Sequence, residues 1–574
     1  MVKKTISSIR SILTREQNEI LSAAAMLMVL LFATKIVGMV FFSLVSSQFG
    51  SSAELDLFYL ASAVPETITN IILLGAISGS IIPVLVKIRE TEGDEKFSSS
   101  FSTIMNLGML LFVVLSVLVM IFAKFTVPFA VEITQRSGDL SPEDIENVIL
   151  MTRILIIPQI ILGASAFLSS GLNIHHRFII PQLAPLLYNL GKIFGIIFLI
   201  PVVDDKVWAL VWGTLIGAVL HLIVQVPLWR QLKIGYRFLY INLRDKNFME
   251  AMKLGLPRVL GLSVEEVARI ADTLISFSLT VGSLASYQYA LRLTAIPLNL
   301  FGTSYAIASF PSLSRLWSNG SKIEFEILVR KIINQVLFLA LPVSGLFIIL
   351  RVPIVRLVYG ILGGSFTWAD TLQVSWVLMF FAIGISLETL RTTLFRVYFA
   401  IHNSIVPLIS SVFVLIFGVI TGILLTNYFS NFYEFSILKI TFEPSFFFQR
   451  SDGPLAVGGL ALSSSLVFSA EFFLLLFILR YKKVITNLRG LGREMIIKLF
   501  ATLVMMMSAY TMAKVWEGIL QTDKTLQVIL LTTTTALTAF AIYLLACKIL
   551  RIEEVNVFMR FIVRTIKKLS YFKE

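Results

Sequence analysis

The sequence predicts an all-α polytopic membrane protein of about fourteen transmembrane helices, arranged as two six-helix lobes followed by a C-terminal helix pair. Three observations carry that reading. Hydrophobic residues fill 57% of the 574 positions and charged residues only 14%, where a water-soluble domain carries about 25% charged residues. Apolar runs recur from residue 22 to residue 547, most of them exceeding the roughly 20 residues that cross a bilayer. The basic residues fall in alternate loops, as they do when loops lie on alternating sides of a membrane.

The apolar runs place spans at approximately 22–48, 56–87, 101–130, 147–173, 178–202, 207–229, 253–281, 284–314, 327–350, 372–395, 401–426, 454–480, 496–515 and 526–547. The first run is too long for the apolar core of a signal peptide, so it reads as a retained helix. With a cytoplasmic N-terminus, the inside loops include Lys87/Arg89/Lys96, the run from Arg230 to Lys246, Arg315/Lys322/Arg330/Lys331, the run from Arg480 to Arg493, and the tail from Lys548 to Lys573. About 33 Lys and Arg then fall inside and about 9 outside. The outside loop at 137–147 is acidic, with Asp139, Glu143, Asp144 and Glu146.

An internal repeat divides the chain. Gly50 to Pro65 reads GSSAELDLFYLASAVP and Gly282 to Pro297 reads GSLASYQYALRLTAIP. A second echo pairs His176-x4-Pro181 with His402-x4-Pro407. The repeat gives a cytoplasmic segment 1–21, an N-lobe 22–229, a C-lobe 253–480, a helix pair 496–547 and a basic tail 548–574. Matched lobes of this kind are characteristic of transporters, with the substrate site between the halves.

The net charge of +13 would suggest nucleic acid in a soluble chain. Here it reads as cytoplasmic loop charge, and no nucleic-acid partner is expected. The single cysteine, Cys547, excludes an intramolecular disulfide framework. No Cys/His spacing suggests a metal, and the His175-His176 doublet has no partner cluster. P-loop, GxSxG and GxGxxG motifs are absent, so neither a cofactor nor an enzymatic activity is expected.

Ionisable residues inside the spans are expensive and therefore candidates for function. Lys35, Asp56, Glu66, Lys192, Arg258, Glu265, Glu266, Arg269, Asp272, Arg292, Glu388, Arg391 and Glu471 qualify. Glu265, Arg269 and Asp272 are spaced i, i+4, i+7 and share one helix face. That face lines a cavity or forms a structural ion-pair ladder, and Asp272 is the candidate for a coupling ion. Lys35 and Arg292 have no acid at i±3 or i±4. Each must face water, an anion or a distant acid such as Asp56 or Asp272. Two cations facing one central cleft would suit a phosphate or diphosphate headgroup.

Several stretches are together similar to one family: FGSSAELDLFYLASAVP, GAISGSIIPVL, HRFIIPQLAPLLYN, DTLISFSLTVGSLASYQYALRLTAIPLNLFGTSYAIASFPSLS, YFAIHNSIVP and GGLALSSSLVFSAEFFLLLFILR. In order and spacing they resemble the MurJ/MviN proteins of the multidrug/oligosaccharidyl-lipid/polysaccharide exporter superfamily. The resemblance implies a flippase for lipid II, an undecaprenyl-diphosphate-linked peptidoglycan precursor, in the bacterial inner membrane. It places Lys35, Asp56 and Arg292 on the family's functional charges, and Arg258 and Arg269 join them as substrate-contact candidates. The chain departs from the family where an Arg-Asp pair is replaced by Phe41-Phe42, where Pro65–Asn70 carries no Arg, where a Glu is replaced by Leu74, and where an acid near the expected sodium site is Asn403. The expected partners are a lipid-linked oligosaccharide, membrane lipid and a coupling cation. A cation-coupled exporter of small amphipathic molecules and a non-transporting envelope scaffold are the competing functions.

The alternation of charge places both termini in the cytoplasm. In a chain with Cys547 replaced, Leu140→Cys should react with an impermeant thiol reagent added from outside, and Tyr240→Cys should be protected. Outside labelling at position 240 would overturn the topology.

Overall fold

The computed structural model describes residues 20–71, 82–134, 140–244, 246–430, 435–437, 440–442, 456–486, 488–520 and 524–560. The chain divides into two compact units, Met1–Ala285 with Leu362–Phe366, and Ser286–Ile361 with Thr367–Glu574.

The first unit contains α1 (Ile20–Phe49), α2 (Ala53–Asn70), α3 (Ile82–Glu92), α4 (Asp94–Ile133), α5 (Pro142–Ile174), α6 (Ile179–Phe194), α7 (Val207–Ile223), α8 (Val226–Gln231) and α9 (Lys246–Phe277). The helix α10 (Ser283–Pro297) begins at its end and leads into the second unit. There follow α11 (Ser304–Ser318), α12 (Lys322–Ile349), α13 (Arg351–Tyr359), α14 (Trp368–Ala400), α15 (Ile405–Ser430), α16 (Ala456–Tyr481), α17 (Leu488–Ile519) and α18 (Thr525–Ile549). Two short strands, β1 (Phe435–Ile437) and β2 (Ile440–Phe442), pair antiparallel in the connection before α16.

Among the described residues, twelve helices are long and apolar enough to cross a membrane. Two predicted spans fall outside that set for visible reasons. The span at 56–87 is represented by α2 and α3, with 72–81 outside the described residues. The span at 253–281 is α9, a continuous helix that carries too many charges to qualify on apolarity. With these two, the chain has the roughly fourteen helices that its apolar periodicity requires.

The repeat is visible in the helix ends. Helices α5 and α14 are each 33 residues long. Each starts with a capping box, Ser141 with Asp144 and Thr367 with Asp370, in which the hydroxyl accepts the acid's backbone N–H and the carboxylate accepts the N-cap amide. Each ends in the same reverse turn. The His176 amide donates to Asn173 O and the Arg177 amide to Leu172 O, while the His402 amide donates to Phe399 O and the Asn403 amide to Tyr398 O. That pattern is the Schellman cap, with a left-handed residue at its corner. His176 and His402 hold φ of 55° and 56°. The His-x4-Pro echo is therefore a helix stop followed by the next helix start.

Apolar surface is distributed for lipid rather than water. In the first unit Phe97, Phe101, Ile104 and Met105, on the first half of α4, pack with Leu172, Ile174 and Leu228. On its second half Leu118, Ile121, Phe122, Phe125 and Phe129 are exposed. A row of that length on a water-facing helix would be an aggregation liability, and against acyl chains it costs nothing.

Helices α6 and α7 meet backbone to backbone. A Cβ on Gly191 would lie 2.4 Å from the Gly217 Cα, and one on Gly195 would lie 2.5 Å from the Gly213 Cα. Small residues four apart on both helices permit this approach. Gly195 opens a π-helical turn, Gly195–Leu199, that ends α6. A second π turn, Leu298–Thr303, joins α10 to α11.

Gly217→Val should push a side chain onto the Tyr188 carbonyl oxygen, 2.5 Å from the Cβ position, and destabilise the unit by about 1–3 kcal/mol. Thermal unfolding in detergent should show a lower midpoint. Gly418→Ala on α15, where no atom lies within 4 Å, should leave it unchanged or raise it. Equal midpoints for the Gly217 variant and the parent would refute the close seam.

Candidate functional site

In the first unit the intramembrane charges are organised around α1, α2, α6 and α9. Lys35 is exposed on α1, with exposed Phe32, Ile36 and Met39 around it. Among the described residues no hydrogen bond or ion pair reaches its ammonium group. Helix α6 runs alongside: the Asn189 side-chain amide donates to Thr34 O at 3.5 Å and lies opposite Gly38. One turn further along α6, the Lys192 Nζ sits 4.0 Å from the Phe41 ring centre, 4.7 Å from Tyr188 and 5.8 Å from Phe42. The two phenylalanines therefore have a use. They present ring faces to a cation on the neighbouring helix.

Asp56 is fully buried near the start of α2. One carboxylate oxygen accepts the Gly282 amide at 2.7 Å and the other accepts the Ala285 amide at 2.8 Å. Those amides open α10, where orphan N–H groups and the positive helix end both favour a carboxylate. Gly282 is left-handed, with φ of 81°, and a Cβ there would collide with the Ser51 carbonyl. The Gly of the GSS/GSL repeat is thus required in its second copy by a close approach to the first. The resemblance names Asp56 as a substrate contact, and here its carboxylate accepts two amides at a helix start.

On α9 the ion pair among the described residues is Arg269 with Glu266, at 3.3 Å. The guanidinium is exposed and the carboxylate only 5% exposed. Glu266 also accepts from Asn70 Nδ2 at 3.2 Å. Beside it Thr69 Oγ1 donates to Gln159 Oε1 at 2.7 Å. Helix α2 thus ends in two polar residues that knit it to α5 and α9. The i, i+4, i+7 spacing pointed to Glu265 as the partner of Arg269. The acid three residues before it, Glu266, pairs with it at 3.3 Å, as helix geometry equally allows. Asp272 is half-buried one turn beyond Arg269. Arg258 lies on α9, but its side chain is outside the described residues.

In the second unit Arg292 is exposed on α10, ahead of Pro297 and the π turn. Within that turn Gly302 packs on α14, its Cβ position 2.7 Å from Thr392 Oγ1. Arg391 and Glu471 pair at 3.0 Å in the interior, with exposures of 8% and 0%. The guanidinium also lies over the rings of Phe468 and Phe395, at 4.6 and 5.1 Å. These two charges answer each other between α14 and α16. Asn403 spends its side-chain oxygen on the Val406 amide at the start of α15.

Sequence reading missed Lys498. It is 2% exposed, donates to Asn334 Oδ1 at 2.8 Å and pairs with Glu554 at 3.4 Å. Glu494 accepts from the same Asn334 and pairs with Arg330. The network fastens α17 to α12 and to the helical residues 553–560. Its signal was a lysine inside an apolar run with an acid four residues earlier. Among the described residues no group of three His, Cys, Asp or Glu could hold a metal ion.

A family profile described as "Lipid II flippase MurJ" matches residues 45–433. A "Probable lipid II flippase MurJ" of Buchnera aphidicola subsp. Acyrthosiphon pisum is 26% identical over 492 residues, covering 84% of this chain and 89% of the relative. One of Thermotoga maritima is 27% identical over 427 residues, covering 72% and 84%. Among solved structures, one described as "Lipid II flippase MurJ, inward closed conformation" superposes with a TM-score of 0.67 at 22% identity, covering 90% of this chain and 98% of that one. An inward-facing multidrug resistance MATE family transporter of the MOP superfamily gives 0.61 at 13% identity, covering 81% and 96%. These two likenesses concern the fold.

Asp56→Ala should leave two buried amides unsatisfied and cost about 1–3 kcal/mol. Asp56→Asn, with one acceptor in place of two, should fall between. Thermal unfolding of the purified variants measures it. An unchanged midpoint in Asp56→Ala, together with weakened ligand binding, would return Asp56 to the substrate contacts.

Proposed function

Because the chain belongs to the MurJ family of lipid II flippases, we propose that it carries lipid II, an undecaprenyl-diphosphate-linked peptidoglycan precursor, across the inner membrane by alternating access. The observation that carries this is the family match over residues 45–433, on a chain whose helices cross the membrane many times. The diphosphate-sugar headgroup would meet cations carried on the membrane helices, facing water. The polyprenyl tail would stay among the lipids, where burying it needs no protein cavity. Both termini lie in the cytoplasm in this reading.

Lys35 and Arg292 are the proposed headgroup contacts. Each is exposed on a membrane helix, and a cation in that position is stable facing water or an anion. Arg292 is the principal contact, because its planar fork can bond two phosphate oxygens together, whereas Lys35 offers a point charge. Arg269 keeps an exposed guanidinium beside a buried carboxylate and serves as a secondary contact with Arg258. Asp56 shapes the site by holding the start of α10. Asp272 is the candidate ligand of a coupling cation, and an ion gradient or the membrane potential supplies the energy.

Arg292→Ala should weaken binding of a purified undecaprenyl-diphosphate-linked sugar in nanodiscs by roughly ten- to a hundred-fold, the loss of a charge-assisted contact of about 1.5–3 kcal/mol. Expression and unfolding should stay near those of the parent. Arg292→Lys should rescue in part and Lys35→Arg should be tolerated. The parent chain should complement a conditional MurJ-depleted bacterium. Unchanged binding in a folded Arg292→Ala/Lys35→Ala double variant would make these cations structural. Failure to complement, with export of small amphipathic cations instead, would favour the exporter.

A further inference from the structure

We propose that Asn299 and Thr303, on the π turn between α10 and α11, bind hydroxyl and acetamido groups of the sugar on the translocated lipid. The proposal rests on the flippase reading and adds to it a contact with the uncharged part of the headgroup.

Helix α10, the π turn and α11 together form one candidate membrane span, Ser283–Ser318, of 36 residues. Asn299 is the seventeenth of them, at the middle of the span. Its one charged residue before Arg315 is Arg292. Polar side chains at that depth are expensive against hydrocarbon. Three of them, Asn299, Thr303 and Ser304, are nevertheless exposed.

The exposure follows one side of the span. Arg292, Ile296, Asn299, Leu300, Thr303, Ser304 and Ile307 are exposed, whereas Leu293, Thr294, Pro297, Gly302 and Ala306 are buried. The buried side is fixed by packing. A Cβ on Gly302 would lie 2.7 Å from Thr392 Oγ1 and 3.2 Å from Thr389 Cγ2, both on α14. The turn therefore holds its polar side chains outward. That side carries both polar groups and large aliphatic ones, as suits a helix that meets acyl chains along one edge and a polar solute along the other.

The turn also leaves hydrogen-bonding capacity. Pro297 has no N–H for the Leu293 carbonyl, and the π turn follows at once. Asn299 Nδ2 donates to Ala295 O at 2.8 Å. Thr303 Oγ1 donates to Asn299 Oδ1 at 3.4 Å, and Ser304 Oγ reaches five residues back to Asn299 O at 3.3 Å. The last two bonds are longer than the roughly 2.7 Å of a good hydroxyl bond, so a ligand can replace them at small cost. An asparagine amide carries two N–H donors and an oxygen with two lone pairs. Beyond its bond to Ala295, Asn299 can thus offer a donor and an acceptor side by side. A sugar hydroxyl or an acetamido group is likewise donor and acceptor together and matches that pair. A phosphate, which only accepts, matches it less well. Turns of this kind recur at functional sites in helices.

The test compares two lipids on the full chain in phosphatidylcholine nanodiscs: undecaprenyl diphosphate, and the same lipid carrying one N-acetylglucosamine. The parent should bind the sugar-bearing lipid more tightly. Asn299→Ala should weaken that lipid by roughly three- to ten-fold and Thr303→Val by less, while bare undecaprenyl diphosphate binds both variants as it binds the parent. Unfolding midpoints should match the parent. Unchanged binding of the sugar-bearing lipid in both variants would overturn this proposal and leave the flippase reading standing. Equal weakening of the two lipids, or a lowered midpoint in both variants, would make the side chains structural and overturn it too. If phosphatidylglycerol competes with the sugar-bearing lipid in the parent and not in Asn299→Ala, the turn serves bulk lipid headgroups and the proposal falls. Uptake of neither lipid by the parent would remove both readings together.

Discussion

A charge in hydrocarbon must be answered by a partner, by water or by a polarised ring, and the arrangement of this chain follows from how each one is answered. Arg391 and Glu471 use direct pairing, with two rings beside the guanidinium. Such a pair gains little net stability over a well-packed apolar pair, but removing one partner leaves an uncompensated charge. It therefore fixes which faces of α14 and α16 meet. Lys498 uses a network, with Asn334 between it and Glu494. That network makes the C-terminal helices part of the second unit's interior rather than an appendage. Lys192 uses rings, and Lys35 and Arg292 remain at the surface of their helices.

Helix ends obey the same constraint. A non-glycine residue in the left-handed region costs roughly 1–2 kcal/mol, yet His176, Lys233, His402, Lys483 and Arg551 all occupy it. In four of these turns the following amide donates back across five residues, to Leu172, Tyr398, Leu479 and Cys547. That bond satisfies carbonyls that would otherwise be orphaned at a membrane surface. A basic side chain at that corner also sits at the negative end of the helix dipole. The loop charges that gave the alternation along the sequence are thus in part the caps of the helices they follow. One residue type meets the requirements of topology, dipole and backbone bonding together.

The helices were legible because membrane spans are written in long apolar runs, and the observed bounds of α1, α5, α12 and α16 lie close to those read from hydropathy. The repeat was legible from GSS/GSL and His-x4-Pro, although its fuller form, a capping box at one end of α5 and α14 and a Schellman turn at the other, needed the backbone. The site was less so. Phe41-Phe42 and Thr69-Asn70 read as lost charges, because a sequence shows what a position lacks and not which neighbour uses it. Lys192 lies about 150 residues from Phe41, so no local window joins them. Asp56 was named from the resemblance alone, because its two amide partners belong to a turn far along the chain. That Glu266 pairs with Arg269 could not be told from spacing, because i,i+3 and i,i+4 are equally near on a helix.

The setting of Lys192 beside Phe41 and Phe42 also bears on the first unit. A cation paired with a carboxylate on its own helix has its charge partly cancelled before an anion arrives. Ring faces add a contact to a cation without themselves carrying a negative charge. The glycine seam between α6 and α7 braces the backbone that carries Lys192. Exposed Lys35 has no such support among the described residues and retains the flexibility of its four-carbon stem. The first unit therefore carries, on adjoining helices, one lysine set against ring faces and one exposed at the helix surface.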